Sequence, residues 1–148
     1  MMIDMSISNI ATIIQLLLVH FFCGLLTILI GRLLSSREEL QYREPILKRW
    51  YSIFLNNILA YLPCIVPIVG SAVLLLQMLR IGRSSQHSTI QMFLKVHVYL
   101  ELLAASCLAT LGILALTLPS LDMCIYLLFL TVVLLLVGSL IESKVIIG

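Results

Sequence analysis

The stretch Trp50–Leu79, WYSIFLNNILAYLPCIVPIVGSAVLLLQML, runs for 30 residues without a charged side chain and carries Pro63 and Pro67 near its centre. A bilayer core of ~30 Å is crossed by a helix of ~20 apolar residues, so this stretch is well above what one span needs. Each proline removes a backbone hydrogen bond and bends a helix. Two paths fit: a long, Pro-kinked helix that crosses, or a re-entrant hairpin that enters and leaves on the same side. Proline is common in spanning helices, and non-helical backbone at depth needs protein cover. The kinked span is therefore the expected path, with the hairpin as its alternative.

On either side lie further apolar runs. Together with 50–79, segments at about 10–31, 95–118 and 123–141 give four hydrophobic stretches in 148 residues. That leaves no room for a separate soluble domain. Composition agrees: 61% of the chain is hydrophobic and 11% charged, with a mean hydropathy of +1.17. A soluble domain is about 25% charged; here the charges are too few for a hydrated shell. The expected fold is all-α, a multipass transmembrane helical bundle forming a single membrane domain over 1–148.

The charges cluster. Residues 32–49 hold five basic and three acidic side chains and read as a polar surface loop. Ser35 and Ser36 each precede a glutamate by three residues, the capping-box pattern. Glu39 and Arg43 stand at the favourable i, i+4 spacing, and Pro45 suits the first turn of a new helix. Lys48, Arg49, Trp50 and Tyr51 then make a cationic and aromatic anchor. Cytoplasmic loops are enriched in Lys and Arg, which gives the two paths different signatures. A crossing at 50–79 splits the nine basic residues five against four. A hairpin puts all nine on one side, with Asp4 and Asp122 as the only charges across. The net charge of +2 gives no basis for a nucleic-acid partner.

Cys23, Cys64, Cys107 and Cys124 all sit within hydrophobic stretches without metal-ligand spacing, and read as small apolar side chains. Met1–Asn9 has no Lys or Arg, and the apolar run after it is longer than a signal-peptide core, so the first segment reads as a retained anchor. The third segment ends at Pro119. The turn Pro119–Asp122 makes segments three and four an antiparallel helical hairpin, and the Leu- and Val-rich fourth reads as lipid-facing.

Ionisable residues inside a span are costly and mark candidate sites. Here these are His20, His97 and Glu101. His97 and Glu101 share a helix face and lie near the interface, where Glu101 is expected to reach the surface or pair with Lys95 or His97. Haem ligation by His20 and His97 is disfavoured because His20 sits mid-span and His97 near an end. Asn56 and Asn57 fall in the first turns of segment two, where headgroup hydrogen bonds account for them. Small residues let membrane helices approach closely. His20, Gly24, Thr27 and Gly31 form one such stripe and Ala105, Ala109 and Gly112 another; the simplest arrangement packs the two stripes together or uses them for self-association. No nucleophile–base pair, phosphate loop or zinc motif stands out in the sequence, so neither an enzyme nor a cofactor is expected.

The paired lobes Leu102–Leu118 and Met123–Ile141, joined by a four-residue turn, resemble the bilobed domain of chlamydial inclusion membrane proteins, and Ile65–Ser71 is similar in flavour to small hydrophobic proteins of those bacteria. The resemblance covers half the chain and rests on hydropathy. It implies insertion into a host-derived vacuole membrane and action through protein contacts. The leading expectation is thus a small multipass protein working by helix packing, as a scaffold or subunit, with the lipid bilayer and a membrane protein as partners. The alternative is a small proton-coupled transporter or channel using Glu101 with His97 or His20.

Overall fold

A computed structural model of the chain describes residues 7–34, 49–84, 95–117 and 121–147, and every structural statement concerns those residues. The capping-box serines, the Glu39–Arg43 pair and Pro45 lie outside them. The described residues are helical, with no strand among them. In order they form α1 (Ile7–Leu33), α2 (Trp50–Tyr61), a 3-10 turn (Leu62–Ile65), α3 (Val69–Ser84), α4 (Val96–Leu114), a 3-10 turn (Ala115–Thr117) and α5 (Leu121–Ile147). Three helices are long and apolar enough to cross a membrane: Ile10–Leu33 within α1, Val96–Leu114, which is α4, and Leu121–Ser143 within α5.

The stretch 50–79 is not the single kinked helix that was expected. The Gln77 side-chain amide donates to the Ala60 carbonyl at 3.4 Å. In a continuous helix those residues would stand about 25 Å apart at ~1.5 Å per residue. Gly70 lies against the Cys64 carbonyl so closely that a Cβ there would overlap it. The chain therefore reverses between α2 and α3, and the two helices form an antiparallel hairpin. The prolines explain why it reverses here. Pro63 falls in the 3-10 turn, and Pro67 follows Val66, whose backbone is extended. Neither proline has an N–H to leave unpaired. The turn binds itself: Val66 N–H donates to Pro63 O at 3.2 Å, Val69 N–H to Pro67 O at 2.7 Å and Gly70 N–H to Val66 O at 2.7 Å. At its apex Ile68 has φ +64°, a left-handed conformation that a β-branched side chain resists.

Contacts between helices fix their directions. Ser71 meets His20, while Leu74 and Met78 meet Gly24 and Leu79 meets Gly31, so α3 runs parallel to α1. Asn57 meets Glu101 and Ile65 meets Gly112, so α2 runs parallel to α4. Thr110 meets His20 and Leu102 meets Gly24, so α4 is antiparallel to α1. Gly138 lies beside Leu100 and Glu101, making α4 and α5 the antiparallel pair anticipated at the turn before Asp122. It follows that the C-terminal ends of α1, α3 and α5 and the N-terminal ends of α2 and α4 gather at one end of the bundle. The hairpin apex stops level with His20, midway along α1.

α4 is the central helix. Leu102, Ala104, Ala105, Cys107, Leu108, Ala109 and Leu111 are buried on every side of it, as expected of a helix that is apolar all round. One core cluster joins it to Ile28, Tyr61, Cys64, Leu74, Met78 and Leu135. A second, at the opposite end, joins it to Met123 and Leu127, with Leu16 and Leu17 packed alongside. Outside this core, Phe22 and Leu26 on α1 and Tyr126, Phe129 and Val137 on α5 are exposed. A soluble monomer rarely shows continuous apolar surface on this scale.

Replacing Ile68 with glycine is expected to relieve the strain at the apex. I68G should raise the thermal midpoint in detergent, by the equivalent of about 1 kcal/mol, whereas Gly70→Leu should lower it. Scanning calorimetry of both variants checks this, and a lower midpoint for I68G would show that φ at residue 68 is not strained.

Candidate functional site

Two polar clusters cross the apolar interior, each assembled from residues distant in sequence. The deeper one centres on His20, midway along α1. Its Nε2 lies 2.9 Å from Ser71 Oγ, in the first turn of α3, and its Nδ1 lies 3.1 Å from Thr110 Oγ1 on α4. A neutral imidazole has one donor and one acceptor nitrogen, and a hydroxyl can play either part. Both contacts are thus satisfied without charge, for either tautomer. His20 and Thr110 are both buried. One side chain fastens three helices, including the half-depth hairpin.

The second cluster centres on Glu101 of α4. Asn57 Nδ2 donates to Oε1 at 2.7 Å and the Tyr61 hydroxyl donates to Oε2 at 3.2 Å. Both carboxyl oxygens are used, and both donors come from α2. Glu101 and Tyr61 are buried, so the carboxyl group turns into the bundle rather than toward the surface or Lys95. Asn57 likewise serves a helix contact rather than headgroups. His97 is buried one turn before Glu101 on the same helix. Lys95, just before α4, is held below the ordinary lysine range by partial burial, offset by the nearby Glu142 carboxylate.

His20 and Glu101 do not form one site. Thr110 and Glu101 are nine residues apart on α4, which is about 13 Å along the axis. Between the two clusters lie Leu74, Met78 and Leu102, all fully buried around Gly24. The Ser71–His20 contact has nucleophile–base distance, but the third partner is a neutral threonine hydroxyl rather than a carboxylate, and the ring is closed off by packing. Among the described residues, no group of three His, Cys, Asp or Glu could hold a metal ion. The remaining buried serine and threonine hydroxyls among the described residues bond within their own helices: Ser106 to Leu102 O at 2.8 Å, Thr131 to Leu127 O at 2.8 Å, Ser139 to Leu135 O at 2.7 Å and Ser143 to Leu140 O at 2.9 Å.

The two small-residue stripes are not each other's main partner. Gly24 faces Leu102, Leu74 and Met78; Gly31 lies against the Leu79 backbone; Gly112 lies beneath the Ile65 carbonyl, where a Cβ would stand 2.6 Å from the oxygen. Ala105 and Ala109 are buried in the same core cluster. Thr27 returns its hydroxyl to Cys23 O at 2.7 Å. The hairpin is thus the body that much of both stripes receive. Ser71, Thr110, Asn57 and Tyr61 are the residues that sequence reading missed as partners. Their only signal was a polar side chain in an apolar run, and which partner each finds depends on the reversal.

Compared with known proteins, the chain matches no family model, no curated protein and no solved structure.

Substitution separates the roles of these contacts. Interhelical hydrogen bonds in membranes average about 0.6 kcal/mol and reach about 1.7, so Thr110→Val and Ser71→Ala should each cost about that much. Glu101→Gln still offers an acceptor to Asn57 and should cost a similar amount. Glu101→Leu leaves both donors stranded and should cost roughly 1–3 kcal/mol. Unfolding titrations in mixed micelles give the ordering, and equal stability of E101Q and E101L would refute it.

Proposed function

We propose that the chain is an integral membrane protein of three crossing helices and one re-entrant hairpin, acting through helix packing as a scaffold or subunit of an assembly. The observation that carries this reading is the use made of polar groups at depth. His20 and Glu101, the two ionisable side chains whose contacts are best defined, are engaged in bonds between helices, and fully buried apolar side chains separate them. A transport or catalytic site needs polar groups that converge on a space a substrate can enter. Packing is the more economical use of these residues.

The hairpin also supports a sidedness. With three crossings, the N-terminal ends of α1 and α5 and the C-terminal end of α4 lie opposite the end where α2 begins and α3 finishes. All nine basic residues then belong to the face where the hairpin enters, with Asp4 and Asp122 across. That is a clean positive-inside distribution, and it supports a topology in which the open end of the hairpin and the C-terminal end of α5 face the cytoplasm or its equivalent. Gly24 and Ala109 are used up inside one copy of the chain. A membrane partner therefore meets the exposed faces of α1 and α5, not the small-residue stripes. The likeness to inclusion membrane proteins would put those faces in a vacuole membrane.

Single cysteines at positions 40, 85, 121 and 146, in a background without the native cysteines, test the crossing number. An impermeant thiol reagent should label 40, 85 and 146 from one side and 121 from the other. A kinked crossing would instead group 40 with 121, against 85 and 146. For function, reconstituted protein should carry no proton flux above protein-free liposomes. A flux driven by a pH gradient and abolished by Glu101→Gln would replace the packing reading with the transporter.

A further inference from the structure

Two adjacent asparagines on α2 meet different surroundings. Asn57 turns into the bundle and donates to Glu101 at 2.7 Å. Asn56 is exposed, and among the described residues nothing bonds its amide. The division runs along the whole helix. Ile53, Asn57 and Tyr61, at i, i+4 and i+8, lie toward the bundle, and Ile53 and Tyr61 are buried. Ser52, Leu55, Leu59 and Leu62, at i, i+3, i+7 and i+10, are all exposed, and Asn56 stands beside them. At ~100° per residue these five fall within about 120° of the helix circumference, opposite the buried set. Their alternating steps of three and four residues make a heptad seam.

Depth gives the exposed amide its meaning. Trp50 and Tyr51 open α2, exposed and stacked edge to face with ring centroids 6.0 Å apart. Aromatic pairs of this kind mark the headgroup level. Asn56 follows Trp50 by six residues, about 9 Å further along the axis, level with the buried Asn57–Glu101 pair. With α2 as a hairpin leg in the membrane, the short Asn56 side chain stands below the headgroups that its place in the sequence suggested as partners. A polar group at that depth bonds to another helix. A carboxamide carries two donors and an acceptor, so it is complementary to a second copy of itself. Two amides that meet across a two-fold axis exchange N–H···O bonds in both directions, an isologous contact. Copies inserted with the same sidedness hold Asn56 at equal depth, and parallel α2 helices packed along Leu55 and Leu59 bring the two amides together. A single polar side chain in an apolar seam also fixes register.

We propose that two copies of the chain associate in the membrane through the outward face of α2, with the Asn56 amides bonded to one another across a two-fold axis and Leu55 and Leu59 packed around them. This self-association face is distinct from the exposed faces of α1 and α5. It rests on the membrane reading above.

Two measurements keep the readings apart. Full-length protein is first floated with phosphatidylcholine liposomes; failure to float overturns the membrane reading itself. Protein with a single cysteine at position 146 is then labelled with donor or acceptor dye, and energy transfer is followed as the protein-to-lipid ratio falls. The chain with Asn56 intact should associate. Asn56→Leu should need about tenfold more protein per lipid for the same transfer, the equivalent of two interhelical hydrogen bonds in a membrane. Asn56→Gln keeps an amide and should retain most of the association. Gln15→Leu, which removes an exposed amide from the N-terminal half of α1, should leave it unchanged. In a background without native cysteines, L59C should form a disulfide-linked dimer on oxidation, and V137C on the exposed face of α5 should not. If N56L does not fold, the L59C result decides, since it leaves Asn56 in place. A chain that stays monomeric at every ratio overturns the interface. So does an unaltered N56L, which would return the amide to the headgroups. Dimers linked through position 137 and not 59, or weakened by Q15L, would move the contact to another face. Linkage of position 59 to a different protein would replace the second copy.

Discussion

A helix that stops halfway along an apolar bundle leaves buried peptide groups in need of partners, and the rest of this bundle is arranged around meeting that constraint. Between Tyr61 and Val69 the chain turns over at the depth of His20. Proline removes two donors, short turn bonds use others, and Gly70 and Gly112 let backbone carbonyls lie against backbone. The histidine then holds the first turn of α3 to α1 and α4 through two hydroxyls.

The same constraint explains why α4 is central. It is flanked by α1, the hairpin and α5, and it carries the polar residues that reach both clusters. Glu101 is bonded to α2, and Thr110 to the α1 histidine that also holds α3. The outer helices can then be aliphatic and aromatic on their exposed sides, as α5 is at Tyr126, Phe129 and Val137. The buried polar groups bond helix to helix here, with His20 and Glu101 enclosed by helices rather than by solvent.

Much of this was legible in the sequence, and what was not has a common cause. The long apolar runs, the paired α4 and α5 and the aliphatic outer face of α5 follow from composition and spacing. So does the importance of His20 and Glu101, because ionisable groups in such runs need partners. The path of 50–79 was left between two options, since two prolines bend a chain without saying how far. A hairpin gathers all nine basic residues on one side, but proline is common in spanning helices and non-helical backbone needs protein cover, so the sequence leans toward the crossing. Once the path is uncertain, every partner across it is uncertain too. Asn57 and Glu101 are 44 residues apart and His20 and Thr110 are 90 apart, and no local pattern links such positions. The direct pairing of the two small-residue stripes overlooked the hairpin as a third body.

The position of α4 also bears on how the bundle comes together. It is the span with His97, Glu101, Ser106 and Thr110 all buried, and the one that relies most on its neighbours for that burial. During synthesis α1 and the hairpin precede it and α5 follows. Its burial therefore depends on a surface supplied by the N-terminal half of the chain and on α5, which follows it. In chain order, the helix that depends most on its neighbours comes after α1 and α2, which carry its hydrogen-bond partners, and the helix with the most apolar exposed face comes last.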